Sequence, residues 1–572
     1  MSKQTRSFLA LSLVSTMLTS CASLPSTSEP QALRSVTVSV PSEQSGPLPD
    51  REPDLLVRDY FAANANPTQQ NQQARSYLTP KFAQQWAPQP EIIVLDRIDM
   101  SSIADSSPDE ISYAINGTWI GTVGEGGAYN PRKEEYSAKV SLKKIDGQWR
   151  ISQAPQQIIV ERTELRNRYL PYDIYYFAPN GSSLVTDRRW MYAGIGALDS
   201  ALISLVTAGP SGVIAPGVLD EIPEGASYAG TEDGIYQLVG FSGFTEDARR
   251  RLAAQLVWTL ARAGINGPYR FNIDGVPLLS DKGEPTLSID DFPEYNPQTT
   301  SSTSATLYGL VGGKVVKISA GVATPAPGGI GFETGVESVD ISTTAEAVAA
   351  VRSRGEGPEK TAVLYVGQLE EPLTEVFEAH TLSRPTFEIY APAVWVVVNN
   401  KTITRVARSN ATDEIAQTEV DISELGENYG DITSFRLSSS GVRAGFIMDG
   451  RVYTATVARP AAGERKLVNI KETVPSIGAT ALSIEWGNDA TLLIGTSNAD
   501  TPVWRAEVDG SSASPLANGN IVAPVVSIAA SASTLYVTDA RAALQISTTG
   551  QSTYWREVQG LEGARSLTIV PR

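Results

Sequence analysis

One pattern of residues recurs six times in the C-terminal half of this 572-residue chain, and it limits the folds that this half can adopt. In each copy, two hydrophobic residues stand two positions apart and precede a turn and an apolar stretch of strand length. The second hydrophobic positions are Ile341, Phe387, Leu437, Ile484, Ile528 and Ile569, separated by 46, 50, 47, 44 and 41 residues. Such a period is typical of the four-stranded blades of a β-propeller. The sequence therefore predicts a propeller over residues 300–572, although Pro385 makes the second copy the loosest.

The last copy of the pattern predicts how the ring closes. Only Pro571 and Arg572 follow residues 567–570 in this sequence, so that copy has no room for a blade of its own. Residues 306–310 and 314–318 look like middle strands that lack an inner strand. Pairing the last copy with them would close the ring and cover both strand edges. We expect six blades, five complete and one composite; five or seven blades, or an open β-solenoid with shorter repeats, are the alternatives.

The scarcity of cysteine and histidine excludes several kinds of chemistry. The chain has one of each, Cys21 and His380. One cysteine cannot form an intramolecular disulfide or a thiolate zinc site, and one histidine cannot build a histidine metal cluster. His380 is the single candidate base for a Ser-His-Asp triad, but it follows an acidic stretch, and we interpret it as a solvated residue on a loop between blades. A net charge of −17 argues against binding nucleic acid.

The N-terminus has the pattern of an export signal followed by a lipid attachment site. Lys3 and Arg6 precede an apolar run. This run begins with residues 8–14 and is too short to span a bilayer. The motif LTSC at 18–21 resembles the bacterial lipobox, and this resemblance implies cleavage before Cys21, a diacylglyceryl thioether on its sulfur and acylation of the new amine. We expect a signal peptide at 1–20, lipidation of Cys21 and a flexible tether at 21–49. A plain secretory signal with an incidental cysteine is the alternative.

Residues 50–160 predict an α+β module. Hydrophobic residues have helical spacing at 55–61, a second short helix is expected at 78–86, and the stretch 136–142 alternates with a period of two before a hairpin at Asp146-Gly147. Helices followed by a curved antiparallel sheet look like the nuclear transport factor-like cone. Such a cone can hold a ligand, although a packed interaction or spacer module is the simpler interpretation. The glycine-rich run at 124–127 lacks the Gly-Lys-Ser/Thr of a phosphate loop and is interpreted as a hairpin turn.

Residues 165–295 predict a second α+β module with the order β-β-α-β-α-β. The segment YYF at 175–177 is followed by a turn at 180–181, the motif IPEG stands at 222–225, and IDG closes the module at 273–275. These features closely resemble the GerMN domain of sporulation, germination and envelope proteins. That resemblance implies a place in envelope assemblies, without an established chemistry. No paired carboxylates or nucleophile stand out in this segment.

The order of these parts resembles the actinobacterial lipoprotein LpqB family over nearly the whole chain. Its specific matches include the GerMN segments and the propeller segments VLYVG at 363–367, LSRP at 382–385 and VWVV at 394–397. The resemblance implies a lipid-anchored accessory protein on the extracytoplasmic face of the cell membrane. Its expected partner is the extracellular domain of the sensor histidine kinase MtrB, through which it would modulate the MtrAB two-component system, cell-wall homeostasis and division.

Two hypotheses of different classes follow from the sequence. The first is a non-enzymatic accessory of a sensor kinase, which docks its partner through the propeller or the GerMN module. The second is an envelope glycan- or peptide-binding protein, or a hydrolase, that uses the propeller channel. Neither a Walker A loop nor an HExxH, EF-hand or GxSxG motif occurs, so we predict no catalytic residue, no cofactor and no metal site. The sequence does not identify which surface of the protein contacts the partner.

Overall fold

The computed structural model describes residues 46–104, 107–297, 306–342, 346–388, 393–408, 414–549 and 553–571. Residues 45–572 belong to one compact unit. Within the described ranges the chain forms six α-helices and 36 β-strands in three consecutive modules, which confirms the predicted multidomain combination of α+β and all-β folds. None of the helices in these ranges is both long and apolar enough to cross a membrane.

The first module packs three helices against a mostly antiparallel sheet. Its elements are α1 (Pro53–Asn64), α2 (Thr68–Arg75), α3 (Pro80–Gln85), β1 (Ile92–Leu95), β2 (Asp99–Ser102), β3 (Glu110–Val123), β4 (Tyr129–Ile145), β5 (Gln148–Gln153) and β6 (Ile158–Glu161). Helix α3 begins after Thr79, whose hydroxyl accepts the backbone N–H of Phe82 at 3.3 Å. The sheet order is β5-β4-β3-β1-β6, with β2 also on β3, and only β1 and β6 pair in parallel. The helices and the sheet enclose a core around the buried Trp86, as expected for the cone.

The second module contains two more strands than its sequence suggests. Its elements are α4 (Arg162–Arg168), β7 (Tyr169–Phe177), β8 (Leu184–Tyr192), α5 (Leu198–Thr207), β9 (Ser227–Glu232), β10 (Ile235–Val239), α6 (Glu246–Arg262), β11 (Phe271–Ile273) and β12 (Val276–Pro277). Strands β7 and β8 form a hairpin, and a four-stranded sheet has the order β12-β11-β10-β9. Strands β9 and β12 were not expected, although the turn between β9 and β10 at Asp233 and Gly234, both with positive φ, is a typical Asp-Gly hairpin signal.

The third module is a six-bladed β-propeller, and each blade is a four-stranded antiparallel sheet. Blade 1 is composite and contains β13 (Leu307–Val311), β14 (Lys314–Ser319), β15 (Val322–Pro325) and the C-terminal β36 (Leu567–Ile569). Blade 2 contains β16 (Val336–Ser342), β17 (Ala347–Arg354), β18 (Thr361–Gln368) and β19 (Thr374–Ala379). Blade 3 contains β20 (Thr386–Glu388), β21 (Ala393–Val398), β22 (Thr402–Arg408) and β23 (Ile415–Glu419).

The remaining three blades follow the same plan, from the inner strand to the outer one. Blade 4 contains β24 (Ile432–Leu437), β25 (Arg443–Met448), β26 (Arg451–Ala458) and β27 (Lys466–Glu472). Blade 5 contains β28 (Ala481–Asn488), β29 (Thr491–Thr496), β30 (Val503–Glu507) and β31 (Ala513–Pro515). Blade 6 contains β32 (Ser527–Ala530), β33 (Thr534–Thr538), β34 (Ala543–Ser547) and β35 (Arg556–Glu557).

The predicted closure of the ring is confirmed. Strand β36 pairs antiparallel with β13, with Ile569 opposite Tyr308 and Leu567 opposite Leu310. Ile569 is 2% exposed and packs between blades 1 and 2. The C-terminal strand thus supplies the inner strand of the blade that begins the propeller.

The closing strand should contribute strongly to stability. Replacing Ile569 by alanine removes buried methyl groups from the core between blades 1 and 2, and we expect it to lower the free energy of unfolding by about 2–5 kcal/mol. Denaturation followed by tryptophan fluorescence measures this loss. The control is Val322→Ala on the outermost strand of the same blade, where the side chain is 61% exposed and the change should stay within about 0.5 kcal/mol. Equal effects of the two substitutions would contradict the closure.

Candidate functional site

The first candidate site is the axis of the propeller, where the inner strands meet. In each copy of the repeated pattern the second hydrophobic residue packs within a hydrophobic core, so the residue directly before it faces the other side of the strand. The six residues at this position are Asp340, Thr386, Arg436, Ser483, Ser527 and Thr568, and all are buried. Two of them accept backbone N–H groups from the next inner strand: Asp340 from Phe387 at 3.2 Å and Thr386 from Leu437 at 3.3 Å. These side chains tie neighbouring blades together.

Arg436 crosses the centre of the ring. Its Nη1 donates to the carbonyl of Pro385, beside blade 3, at 2.6 Å. Its Nη2 lies 3.1 Å from Asp340 Oδ1 in blade 2 and 3.2 Å from Glu485 Oε2 in blade 5. A side chain of blade 4 that reaches three other blades in this way must lie on the axis. The Arg436 side chain is only 2% exposed, so its guanidinium closes the axis at this level.

A second arginine balances the charge of the axis. Arg384 Nη2 lies 3.3 Å from Asp340 Oδ1, and its Nη1 lies 3.8 Å from Glu485 Oε2. Burial, and next the positive charge of Arg436, lower the pKa of Arg384 to about 10, while Asp340 opposes this shift. Two carboxylates and two guanidinium groups therefore form a neutral set, which we call the axial ion network.

The axial ion network favours a structural role for the two carboxylates. A hydrolase with two carboxylates needs one of them to carry a proton in an open cleft. Here Asp340 and Glu485 are each paired with arginine and almost completely buried. The geometry therefore gives no support to a hydrolase or a glycan site at this level of the channel.

The second candidate site is the junction between the propeller and the GerMN-like second module. Val442, in the loop between the first two strands of blade 4, is fully buried and packs within the core of the second module. Thr456 Oγ1 donates to the carbonyl of Val213 at 2.6 Å, and Asn469 Nδ2 donates to the same carbonyl at 2.9 Å. Gly217 must be glycine here, because a Cβ would lie 2.7 Å from a methyl group of Thr456.

The same part of the propeller also holds the first module. Lys133 Nζ donates to the carbonyl of Pro475 at 3.2 Å, and Pro131 packs closely against Gly510. From the second module, Trp190 Nε1 donates to Asp509 Oδ2 at 3.2 Å. Arg188 of the second module forms an ion pair with Glu507 across the same interface. Among the described residues, the hydrogen bonds and ion pairs between the propeller and the other two modules fall on blades 4 and 5 and on the connection between them.

Residues of all three modules enclose a small cavity of about 40 Å³ at this junction. Its lining includes Tyr129, Asp187, Arg443, Lys471 and Asp509. Burial lowers the pKa of Lys471 to about 8, although the nearby Asp509 opposes the shift. The volume is sufficient for water but far below the roughly 300 Å³ of a typical ligand pocket. The junction therefore serves to hold the modules together.

The first module has a larger cavity, of about 200 Å³, between α1, α4 and the sheet. Phe61 and Ile98 form its apolar part, and Arg58, Glu161 and Glu164 its polar part. This volume is also below the range of typical ligand pockets. The simpler interpretation of the cone as a packed module stays the better one.

The structure tests some of the residue predictions made from the sequence and leaves others untested. Cys21, the signal peptide at 1–20 and the tether up to residue 45 lie outside the described residues, so lipidation stays a prediction. His380 directly follows β19 and is exposed, as the loop interpretation required. In the part of the chain that the structure describes, no three His, Cys, Asp or Glu side chains are grouped as a metal site.

The axial ion network was not predicted from the sequence. Its signal was nevertheless present, because Asp340 and Arg436 stand between the hydrophobic residues of their copies of the pattern. Glu485 directly follows the second hydrophobic residue of its copy. A charged residue at such a position of a buried inner strand needs a partner from another blade. The pattern could not identify that partner, because the pairs are 44 to 101 residues apart in the chain.

Three family models match consecutive parts of the chain. The N-terminal domain of lipoprotein LpqB matches residues 46–166, a sporulation and spore germination domain matches residues 173–279, and the lipoprotein LpqB beta-propeller domain matches residues 313–571. These ranges cover most of the three modules of the fold, in the same order.

Similar curated proteins carry the same family name. Lipoprotein LpqB of Corynebacterium diphtheriae is 49% identical over 558 residues, which cover 96% of each chain. Lipoprotein LpqB of Rhodococcus jostii is 34% identical over 571 residues, 96% of this chain and 95% of that protein. Among solved structures, a putative 6-phosphogluconolactonase from Bacteroides uniformis is 10% identical, covers 46% of this chain and all of its own, and has a TM-score of 0.32. A likeness of that degree supports no conclusion about activity.

The axial ion network predicts a large effect for one substitution. Arg436→Met would leave two buried carboxylates short of a partner, and we expect the free energy of unfolding to fall by about 3–5 kcal/mol. The control is Arg354→Met, which breaks exposed ion pairs with Glu375 and Glu378 and should change the free energy of unfolding far less, because water screens exposed pairs. Chemical denaturation of the full chain compares the two variants.

Neutralising the carboxylates should partly restore the Arg436 variant. In Arg436→Met combined with Asp340→Asn and Glu485→Gln, the unpaired charges are gone and part of the lost stability should return. A cost of Arg436→Met no larger than that of Arg354→Met would contradict the role assigned to the network.

Proposed function

The chain belongs to the lipoprotein LpqB family, and from this membership we propose that it is a non-catalytic docking protein, anchored by lipid on the extracytoplasmic face of the cell membrane, that modulates a sensor histidine kinase. The curated relatives are named as lipoproteins, and neither relative described above is named as an enzyme. The proposed partner is the extracellular domain of MtrB, and the proposed effect is on MtrAB signalling, cell-wall homeostasis and division.

The closed axis is the observation that most favours docking over catalysis. A propeller enzyme commonly places its reacting groups around an accessible central channel, whereas Arg436 fills this axis and is paired with Asp340 and Glu485. The charged residues that converge there are used to hold the blades together. The outer surfaces of the modules are then the parts available for a partner.

The rigid assembly of the modules also supports a docking role. Val442 is buried in the core of the second module, and the first module rests on the same blades through Lys133 and Pro131. Three modules connected in this way present their surfaces in a defined arrangement. Such pre-organisation reduces the entropy that a partner must lose when it binds.

The proposed anchor is a lipid on Cys21. A single acyl chain gives only weak, reversible membrane binding, whereas a diacylglyceryl group with a further acyl chain on the amine would hold the protein durably. The tether at 21–49 would separate the modules from the bilayer surface.

We expect Cys21→Ser to release the protein from the membrane. Without a thiol there is no thioether, so the variant should move from the membrane fraction to the soluble exported fraction or keep its uncleaved signal. Fractionation, with mass spectrometry of the N-terminal peptide, measures both outcomes. Ser20→Ala, which keeps the cysteine, is the matched control and should stay lipidated. A Cys21→Ser variant that is cleaved and still partitions with the membrane would contradict lipidation at this position.

We also expect the lipidated full-length protein to bind the purified extracellular domain of MtrB. Co-purification in detergent or nanodiscs and surface plasmon resonance measure the complex, with the extracellular domain of an unrelated sensor kinase as the control. If no complex forms at about 100 μM of each protein, while a cell-wall fragment raises the melting temperature of the lipoprotein, the kinase-accessory proposal fails and the ligand-binding alternative gains support.

A further inference from the structure

Three arginines surround one buried carboxylate where blades 3 and 4 meet. Arg405 Nε lies 2.8 Å from Glu388 Oε2, and Arg465 Nη2 lies 3.1 Å from Glu388 Oε1. Arg459 Nη2 approaches the same Oε1 at 3.7 Å. We call these four residues the arginine cluster. It carries three positive charges and one negative charge, a surplus of two in a chain whose net charge is −17.

The cluster is partly shielded from solvent. The side-chain exposures are 5% for Glu388, 11% for Arg405, 12% for Arg465 and 22% for Arg459. Burial raises the pKa of Glu388, but the three guanidinium groups outweigh it and hold this pKa below its usual value. Burial also lowers the pKa of Arg459, and its neighbours Arg465 and Arg405 lower it further against the attraction of Glu388. The single negative charge of Glu388 does not neutralise the three positive charges of the arginines.

The hydrogen-bond donors of the cluster are unevenly used. Arg465 directs its remaining nitrogen, Nη1, to the carbonyl of Glu464 at 2.8 Å. Arg459 donates to the carbonyls of Val457 and Gly441 at 3.3 and 3.0 Å. Arg405 uses only Nε, so that its Nη1 and Nη2 have no acceptor among the described residues. These two nitrogens form the planar fork that binds carboxylate and phosphate groups.

A second unsatisfied donor lies on the same face of the sheet. Trp395 is directly opposite Arg405 across β21 and β22, and directly opposite residues of an antiparallel pair project to the same face. The indole N–H of Trp395 is buried and has no acceptor in the described part of the chain. Nearby acidic side chains are already used elsewhere: Asp421 pairs with Lys466, and Glu424 accepts the backbone N–H groups of 469 and 470.

We propose that the arginine cluster is an oxyanion-binding site, in which a carboxylate or phosphate group takes both Nη nitrogens of Arg405 within the positive field of Arg459 and Arg465. This site goes beyond the proposed function, since it needs no kinase and no membrane. The ligand would replace the missing acceptors and neutralise part of the surplus charge. The site also adjoins the loop of blade 4 that enters the second module, because Arg459 donates to the carbonyl of Gly441, the residue before Val442.

The probes for this site are inorganic phosphate and malonate, titrated into the full-length protein at constant ionic strength with sodium chloride as the balancing salt. Isothermal titration calorimetry and the melting temperature measure binding. We expect saturable binding of at least one probe. A preference for phosphate would indicate a phosphate-bearing ligand, and a preference for malonate would indicate a carboxylate ligand. Stabilisation that does not saturate, or that equals the effect of chloride, would overturn the proposal.

Two substitutions should change the affinity in opposite directions. Arg405→Met removes the unused fork but leaves Glu388 paired with Arg465 and Arg459, and it should weaken binding by at least tenfold. Glu388→Gln removes the competing carboxylate and should strengthen binding by roughly three- to tenfold. Arg451→Met is the matched control and should leave the affinity unchanged, because Arg451 lies in the same blade as Arg459 and its ion-pair partner among the described residues is Glu472.

A purely structural cluster would give a different result. In that case Glu388→Gln would lower the melting temperature without improving the binding of either probe. If the site binds anions as proposed, phosphate or malonate should restore more of the melting temperature of Glu388→Gln than of Arg405→Met. Equal affinities in the wild type and in Arg405→Met would overturn the proposal.

Discussion

The pairing of β36 with β13 is the constraint on which the rest of the structure depends. Those two strands are more than 250 residues apart, and their contact turns a row of sheets into a ring. Only in a closed ring do the inner strands face a common axis, and only there can Arg436 reach Asp340 and Glu485 at once. Closure also covers the edges that would otherwise pair with other chains. The C-terminal strand therefore determines the environment of every blade.

The charged interior of this propeller serves its architecture. Burying ion pairs costs desolvation energy, which the axial ion network recovers only because each carboxylate meets more than one guanidinium nitrogen. The arginine cluster around Glu388 differs, because its charges do not balance and Arg405 keeps unused donors. Two groups of similar residues in neighbouring blades are thus suited to different tasks. The axial ion network ties the blades together at the axis, and the arginine cluster is the proposed oxyanion-binding site.

The location of the cluster connects it with the assembly of the modules. Arg459 contacts both Glu388 and the carbonyl of Gly441, and the adjacent Val442 is inserted into the second module. Blades 4 and 5 carry the other two modules, so this region joins the repeat to the rest of the chain. For a lipoprotein whose proposed task is docking, a rigid junction with an anion-binding position beside it gives a partner or a ligand a defined place to act.

The local elements and the repeat of this protein could be predicted from its residues alone. The six copies of the pattern predicted the blades, residues 567–570 predicted the closure, and the helical spacing at 55–61 predicted helix α1, because each of these signals lies within a short stretch of the chain. Which charged residues form pairs could not be predicted before the fold was known. The partners of Arg436 and Glu388 come from other blades, and Val442 enters another module, so their contacts follow from the ring geometry. A sequence pattern encodes which face of a strand is buried, but the residue that it meets there is set by packing in three dimensions.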